Sequence, residues 1–253
     1  MMHPLLLPGL AARAIGGGPG RKAALLGFCL IGLSAAAVQP VLAGRPLATD
    51  DAAIVEAGAC QLEAWMERGR DHRATWLNPG CNPFGRTEFA FGGARVRPDD
   101  LPAYTLHAWQ IKRMLREHDA AHAGYAIAFG GQRQRHGGAR EVYLNGIATL
   151  PLAAEVRVLH INLGALRTRD ADGRHTRATW GLAFDAEVAT ATRASLEAFG
   201  TSSERPRWQF GLRHELVPGH LQLDASLGSA LGRWSETRLV TLGLVFVNPA
   251  FLH

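Results

Sequence analysis

Ionisable residues recur on one side of the alternating segments of this chain: Glu63, Glu67, Glu88, Lys112, Glu141, Arg177, Asp185, Glu187, Arg193, Glu197, Arg213, Glu215 and Asp224. Carboxylates set against Lys112, Arg193 and Arg213 can either lock into a rigid ionic filling or bind and pass a polar solute. Both uses need pairing or water, because an uncompensated buried ion costs several kcal/mol. Nucleophilic chemistry would require a serine and a histidine oriented by a third group. Ser195, Ser226 and Ser229 stand beside no recognisable motif with His107, His160 or His214. His118 and His122 have the spacing of a helical metal pair but fall at an expected turn. His214-Glu215 and His220 are interrupted by Pro218-Gly219, which no zinc-protease helix tolerates. The Gly16–Gly20 cluster lies in a presequence and cradles no phosphate. The residues therefore point to no catalytic group, no metal and no cofactor.

The elements that carry these charges read as strands. From His175 to Glu187, Thr176, Ala178, Trp180, Leu182, Phe184 and Ala186 alternate with polar, charged or small residues. Period two sends successive side chains to opposite faces of a sheet. The pattern predicts strands near 60–69, 72–78, 86–96, 103–116, 120–133, 139–151, 155–168, 174–187, 191–200, 207–216, 219–228 and 236–247. That is twelve, or ten if the short second segment and a partner drop out. In an even antiparallel meander, the turns at 151–154, 188–190 and 217–219 share one end. The longer polar connections at 170–173, 201–206 and 230–236 share the other. A soluble sandwich would satisfy the same alternation. The strands, however, run to ten or more residues, the length of a tilted membrane crossing and not of an ordinary globular strand. Small residues on the polar face (Gly124, Ala126, Ala128, Gly181, Ala183, Gly211, Gly228) suit a crowded lumen, and Trp180, Trp208 and Tyr125 fall on the apolar face. The expectation is an all-β, antiparallel, up-and-down transmembrane barrel.

The N-terminus points to export. Arg21-Lys22, the apolar run Ala23–Val38 and Val41-Leu42-Ala43 follow the order of a secretory signal peptide cut after Ala43. An uncleaved anchor is the alternative, and the long leading stretch allows a start codon further downstream. Removing Arg13, Arg21 and Lys22 from the 27 basic residues leaves 24 against 22 acidic ones, dispersed along the chain. Such a balance argues against a nucleic-acid partner. Once Cys29 leaves with the signal, Cys60 and Cys81 remain as an even pair in a compartment that permits disulfides. A bond between them closes a loop worth roughly 3 kcal/mol in chain entropy; two buried free thiols are the alternative.

Several motifs carry a resemblance. Arg45-Pro46-Leu47-Ala48-Thr49-Asp50-Asp51 and Gly58-Ala59-Cys60-Gln61-Leu62-Glu63-Ala64-Trp65 stand at the start of the exported part. Asn82-Pro83-Phe84-Gly85, Gln110-Ile111-Lys112, Gly211–Pro218 and Leu221-Gln222-Leu223-Asp224 follow. Together they resemble the outer-membrane transporters grouped as the MetA-pathway of phenol degradation family. The resemblance implies a Gram-negative outer-membrane barrel that passes small or hydrophobic molecules, and it carries over no catalytic residues. This chain ends Phe251-Leu252-His253 instead of on an aromatic, with Gly243-x-x-Phe246 as a partial assembly signal.

The resulting organisation is a signal peptide (1–43), a periplasmic segment (44–59) and an outer-membrane barrel (60–253). Arg45, Asp50 and Asp51 stand just before the first strand, where they can fold back and plug the lumen. The expected role is a channel or transporter for small molecules, hydrophobic ones among the candidates. A structural envelope barrel with a filled, ion-paired lumen and a lipid-modifying barrel enzyme are the alternatives. Expected partners are outer-membrane lipid, a small-molecule solute and, during insertion, the barrel assembly machinery.

Overall fold

Long alternating segments with no helix-forming stretch between them can satisfy their backbone groups in lipid only by closing into a ring. The computed structural model shows such a ring. It describes residues 45–135, 139–153, 156–170 and 173–252; the expected signal peptide and Gly44 lie outside them. The strands are β1 (Cys60–Arg68), β2 (His72–Cys81), β3 (Thr87–Pro98), β4 (Tyr104–Arg116), β5 (Gly124–Gln134) and β6 (Arg140–Ala153). The second half comprises β7 (Arg157–Asp170), β8 (Gly173–Ala189), β9 (Thr192–Thr201), β10 (Arg207–Val217), β11 (Leu221–Ala230) and β12 (Leu239–Asn248). Each pairs antiparallel with its sequence neighbour, and β1 pairs with β12 to close the barrel.

The count is twelve, so the ten-strand alternative falls. The segment that decides it, β2, runs through Asn78-Pro79-Gly80 to Cys81, past the expected end at 78. Asn-Pro-Gly reads locally as a turn. Here the β2–β3 ladder merely opens at Asn78 and Pro79, then resumes in unchanged register at Gly80↔Ala90. A proline in a strand costs one donor, and β1 holds the other side, with Leu62 opposite Pro79. Residues 236–238 are a second correction. They lie outside β12, and the loop before it carries a short helix, α1 (Trp234–Thr237). A third is 120–123, which are loop. There the Asp119 carboxylate accepts the Ala121 and His122 N–H groups at 2.8 and 2.9 Å. These bonds, Ala121's first, hold the Asp119 carboxyl below its usual range.

Burial is inverted relative to a soluble protein. Leu182, Phe184, Phe210, Leu212, Leu223, Leu242, Leu244 and Phe246 are exposed, whereas Glu63, Lys112, Asp185 and Asp224 are buried. Phe210 and Leu223 would be sealed in a sandwich; they are 42% and 38% exposed, so the two-layer alternative is excluded. Trp208 stacks on Trp234 at 5.9 Å, and Tyr125 is exposed on the outward face.

Both termini of the ring, the start of β1 and the end of β12, lie at one end, here called the terminal end. The connections at this end are short at Thr190-Ala191 and at Pro218–His220; Ala191 (φ 56°) and Gly219 (φ 70°) adopt the left-handed backbone that tight turns demand. The longer ones at this end are 82–86 and 117–123, the latter organised by Asp119. At the far end the longest connection, 231–238, contains α1. Cys60 and Cys81 are register partners at the terminal end and are joined by a disulfide.

Twelve strands spaced about 4.8 Å apart and tilted about 40° give a backbone diameter of roughly 24 Å. Eight-stranded barrels are filled by their own side chains, but a ring this wide leaves space along its axis. An outward-facing charge tests the inside-out assignment. Leu244→Arg should cost about 2–4 kcal/mol in equilibrium unfolding from lipid vesicles. A change below ~0.5 kcal/mol would place β12's apolar face elsewhere.

Candidate functional site

The space along the axis is occupied by residues 45–59, which precede β1. Their path can be followed strand by strand. Arg45 is buried against β1, β11 and β12: its Nη2 donates to Asp224 Oδ1 at 3.3 Å and Thr241 Oγ1 at 3.1 Å. Its guanidinium carbon lies 4.2 Å from the centre of the Trp65 ring. Gln222 donates to the Arg45 carbonyl at 3.1 Å, and Gln209 donates to the Pro46 carbonyl. The two oxygens of Glu197 accept the Ala48 and Thr49 N–H groups, each at 2.8 Å. Asn162 grips Asp50 at both backbone groups, accepting its N–H at 2.8 Å and donating to its carbonyl at 2.7 Å. Lys112 Nζ sits 3.5 Å from Asp50 and 3.4 Å from Asp51, and Gln110 donates to Asp50 at 3.3 Å. Further along, Thr149 accepts the Ala52 N–H, Glu88 accepts the Val55 N–H, and Asn82 donates to the Val55 carbonyl.

This is how an irregular segment survives inside a barrel. Its backbone groups have no ladder and little water, so each needs a side-chain partner. Inward positions on β3, β6, β7, β9, β10 and β11, with Asn82 just past β2, provide many of them, while β4 pairs with the segment's carboxylates. Small residues make room: a Cβ at Gly181 would meet Thr49, one at Gly211 would meet Pro46, and one at Gly243 would meet Arg45.

The sequence-derived lumen residues sort into three groups. Glu63, Glu88, Lys112, Glu141, Asp185, Arg193, Glu197, Arg213 and Asp224 are buried on the inner face, as is Glu67. Asp185 bridges Arg193 and Arg213, the latter at 3.2 Å. Arg177 and Glu215 lie at the two rims, half-buried: Arg177 pairs with Glu204 at 3.0 Å in the far-end loops, and Glu215 accepts the Gly219 N–H at 3.4 Å across the terminal-end turn. Glu187 is exposed, a correction to its expected inner placement, because the seventeen-residue β8 extends beyond the barrel wall. Arg45, Asp50 and Asp51 all lie buried on the 45–59 path.

Counting charges alone misses half of the lining. The uncharged residues Gln110, Thr149, Asn162, Gln209, Gln222 and Thr241 are buried and hold much of the segment. Two tryptophans line the lumen as well: Trp65, beneath Arg45, stacks on Trp76 at 5.2 Å inside the barrel, beside Ala94, Leu106 and Ala108. Position parity contained the signal, since Trp65 sits between Glu63 and Glu67. Of the serines and histidines considered for catalysis, Ser226 is hydrogen-bonded to Thr241, Ser229 to Thr237, His160 to Thr149 and His214 to Thr192.

A family model matches residues 31–245, which span nearly all of the barrel and the segment inside it. The chain belongs to the family described as uncharacterised conserved protein UCP029691. No curated protein matches it. Among solved structures, it is similar to the COG4313 outer membrane channel from Pseudomonas putida F1, with a TM-score of 0.59, 12% identity and coverage of 80% of this chain and 100% of that one. It is also similar to the KdgM porin in complex with disordered oligogalacturonate (TM-score 0.58, 8% identity, 74% and 98% covered). A third is the NanC porin (TM-score 0.54, 9% identity, 74% and 98% covered). At these identities the likeness concerns fold: the family member described here has the porin-like barrel of Gram-negative outer-membrane proteins.

Glu197 receives two backbone donors and, like Asn162, holds the segment at two backbone groups at once. Glu197→Ala should remove about 3 kcal/mol of docking and speed hydrogen exchange of residues 45–57 roughly a hundredfold, read by mass spectrometry. Unchanged exchange would show that the segment is held elsewhere.

Proposed function

We propose that this protein is an outer-membrane channel for small molecules, with residues 44–59 forming a plug that enters from the periplasmic end. The observation that carries this reading is the mode of attachment. The segment is held mainly by hydrogen bonds, ion pairs and one cation–π contact spread over many strands, with one small apolar contact where Ala52 packs on Ala126, Ala128 and Ile147. Such contacts exchange for water or solute when the segment moves, whereas a fused hydrophobic core would not. The terminal end is then periplasmic, with its short turns, and the looped far end faces the exterior.

The resemblance to the MetA-pathway of phenol degradation family supports the same role and adds the finer expectation of a hydrophobic solute. The apolar inner patch of Trp65, Trp76, Ala94, Leu106 and Ala108 is in keeping with it. Export by a cleaved signal peptide, contact with outer-membrane lipid and insertion through the barrel assembly machinery complete the proposal. No catalytic step is part of it. A second reading, a structural envelope barrel, draws on the same contacts: a lumen crossed by so many anchors is filled as it stands.

Planar-bilayer recording separates the two. Deleting residues 44–57 should raise single-channel conductance at least several-fold over the full-length protein. Equal conductance in both would reject the plug, and a closed barrel in both would favour the structural reading.

A further inference from the structure

Arg45 occupies a pocket that has the features of a ligand site and not of a simple anchor. Its guanidinium lies over Trp65, which itself stacks on Trp76. Asp224 and Thr241 take hydrogen bonds from one nitrogen, and Glu67, buried on the same face of β1 as Glu63, accepts the Trp65 indole N–H at 2.9 Å. Among the described residues, Arg45 is the sole cation within ion-pair distance of Asp224, and Glu63 and Glu67 have none. Two carboxylate oxygens here, Asp224 Oδ2 and Glu67 Oε2, are buried and accept no hydrogen bond. Gly243 keeps the floor open: a Cβ there would strike Arg45 Nε and both carboxylate oxygens of Asp224. An aromatic face, acidic walls and a flat floor are what a planar organic cation requires.

The pocket's occupant comes from the segment that must leave for the lumen to open. Departure of Arg45 strands buried carboxylates without a counter-charge, an arrangement that is strongly unfavourable. A solute bearing the same charge removes that obstacle, because a ligand shifts an equilibrium by its differential affinity for the two states. We propose that Arg45 is a built-in surrogate ligand, and that the pocket of Trp65, Asp224, Thr241, Glu63 and Glu67 binds small organic cations with a planar, guanidinium-like head carrying an apolar body. The body would lie along Trp76, Ala94, Leu106 and Ala108, which continue from Trp65 as one buried apolar cluster. This inference rests on the reading of residues 44–59 as a displaceable plug and adds to it the class of solute.

Binding can be measured without conduction, so the two proposals fail separately. Full-length Arg45→Ala in detergent is titrated with phenylguanidinium, monitored by tryptophan fluorescence and calorimetry. Phenylurea is the neutral probe of similar shape. Arg45→Ala should bind phenylguanidinium saturably, at least tenfold more tightly than the unsubstituted protein does and at least tenfold more tightly than it binds phenylurea. Asp224→Asn added to Arg45→Ala should weaken phenylguanidinium binding at least tenfold. Equal binding of the two probes, or equal binding by substituted and unsubstituted protein, overturns the proposal; so does no saturable binding by a folded Arg45→Ala. If Arg45→Ala does not fold, Arg45→Met keeps most of the side-chain volume without the charge and carries the same comparison. Conductance after deletion of residues 44–57 reports on the plug independently of any of these results.

Discussion

Polar groups carried into the interior of a closed cylinder must find partners there, and this chain draws many of those partners from its own N-terminal segment. The lining alone is unbalanced. Glu63, Glu67, Glu88, Glu141, Asp185, Glu197 and Asp224 face Lys112, Arg193 and Arg213 across the lumen. The segment brings the Arg45 cation to Asp224, backbone donors to Glu197 and Glu88, and the Asp50-Asp51 pair to Lys112. Each contact is local and replaceable, but together they set the path of an otherwise ladderless stretch of chain.

That dependence explains why the barrel wall and its contents differ so much in character. The wall is held by regular antiparallel ladders, closed by β1 against β12, and stapled at the terminal end by Cys60–Cys81. No wall strand needs the segment in order to pair. The contents are held by side chains, whose hydrogen bonds water can replace one at a time. A stable wall around exchangeable contents is the physical arrangement from which a gated conduit can be made. The porin-like fold seen in the similar solved structures is compatible with that use.

Much of the wall was legible from residue order. Strict alternation in β8, β10 and β11 reported strands with one greasy and one polar face, and segment lengths of ten or more residues favoured a membrane crossing over a sandwich. The failures are instructive. Asn78-Pro79-Gly80 carries local turn chemistry, yet two neighbouring strands keep β2 extended through it. Residues 236–238 alternate well enough to read as strand, but they form the end of the short helix α1 and its C-cap in the far-end loop. Glu187 shares the parity of the lumen residues and still reaches solvent, because parity says nothing about where along its length a strand leaves the wall.

The order of residues determined by itself which side chains share a face, where most of the turns fall, and that Cys60 and Cys81 return to the same end of one hairpin. These follow from the two-residue period of an extended chain and from turn chemistry, both local properties. Only the closed structure decided which lumen residue meets which. Asn162 gripping Asp50, Glu197 capturing Ala48 and Thr49, and Arg45 lying on Trp65 join positions far apart in the chain. Such meetings depend on how twelve strands curve round a common axis, and that curvature has no period of its own in the sequence.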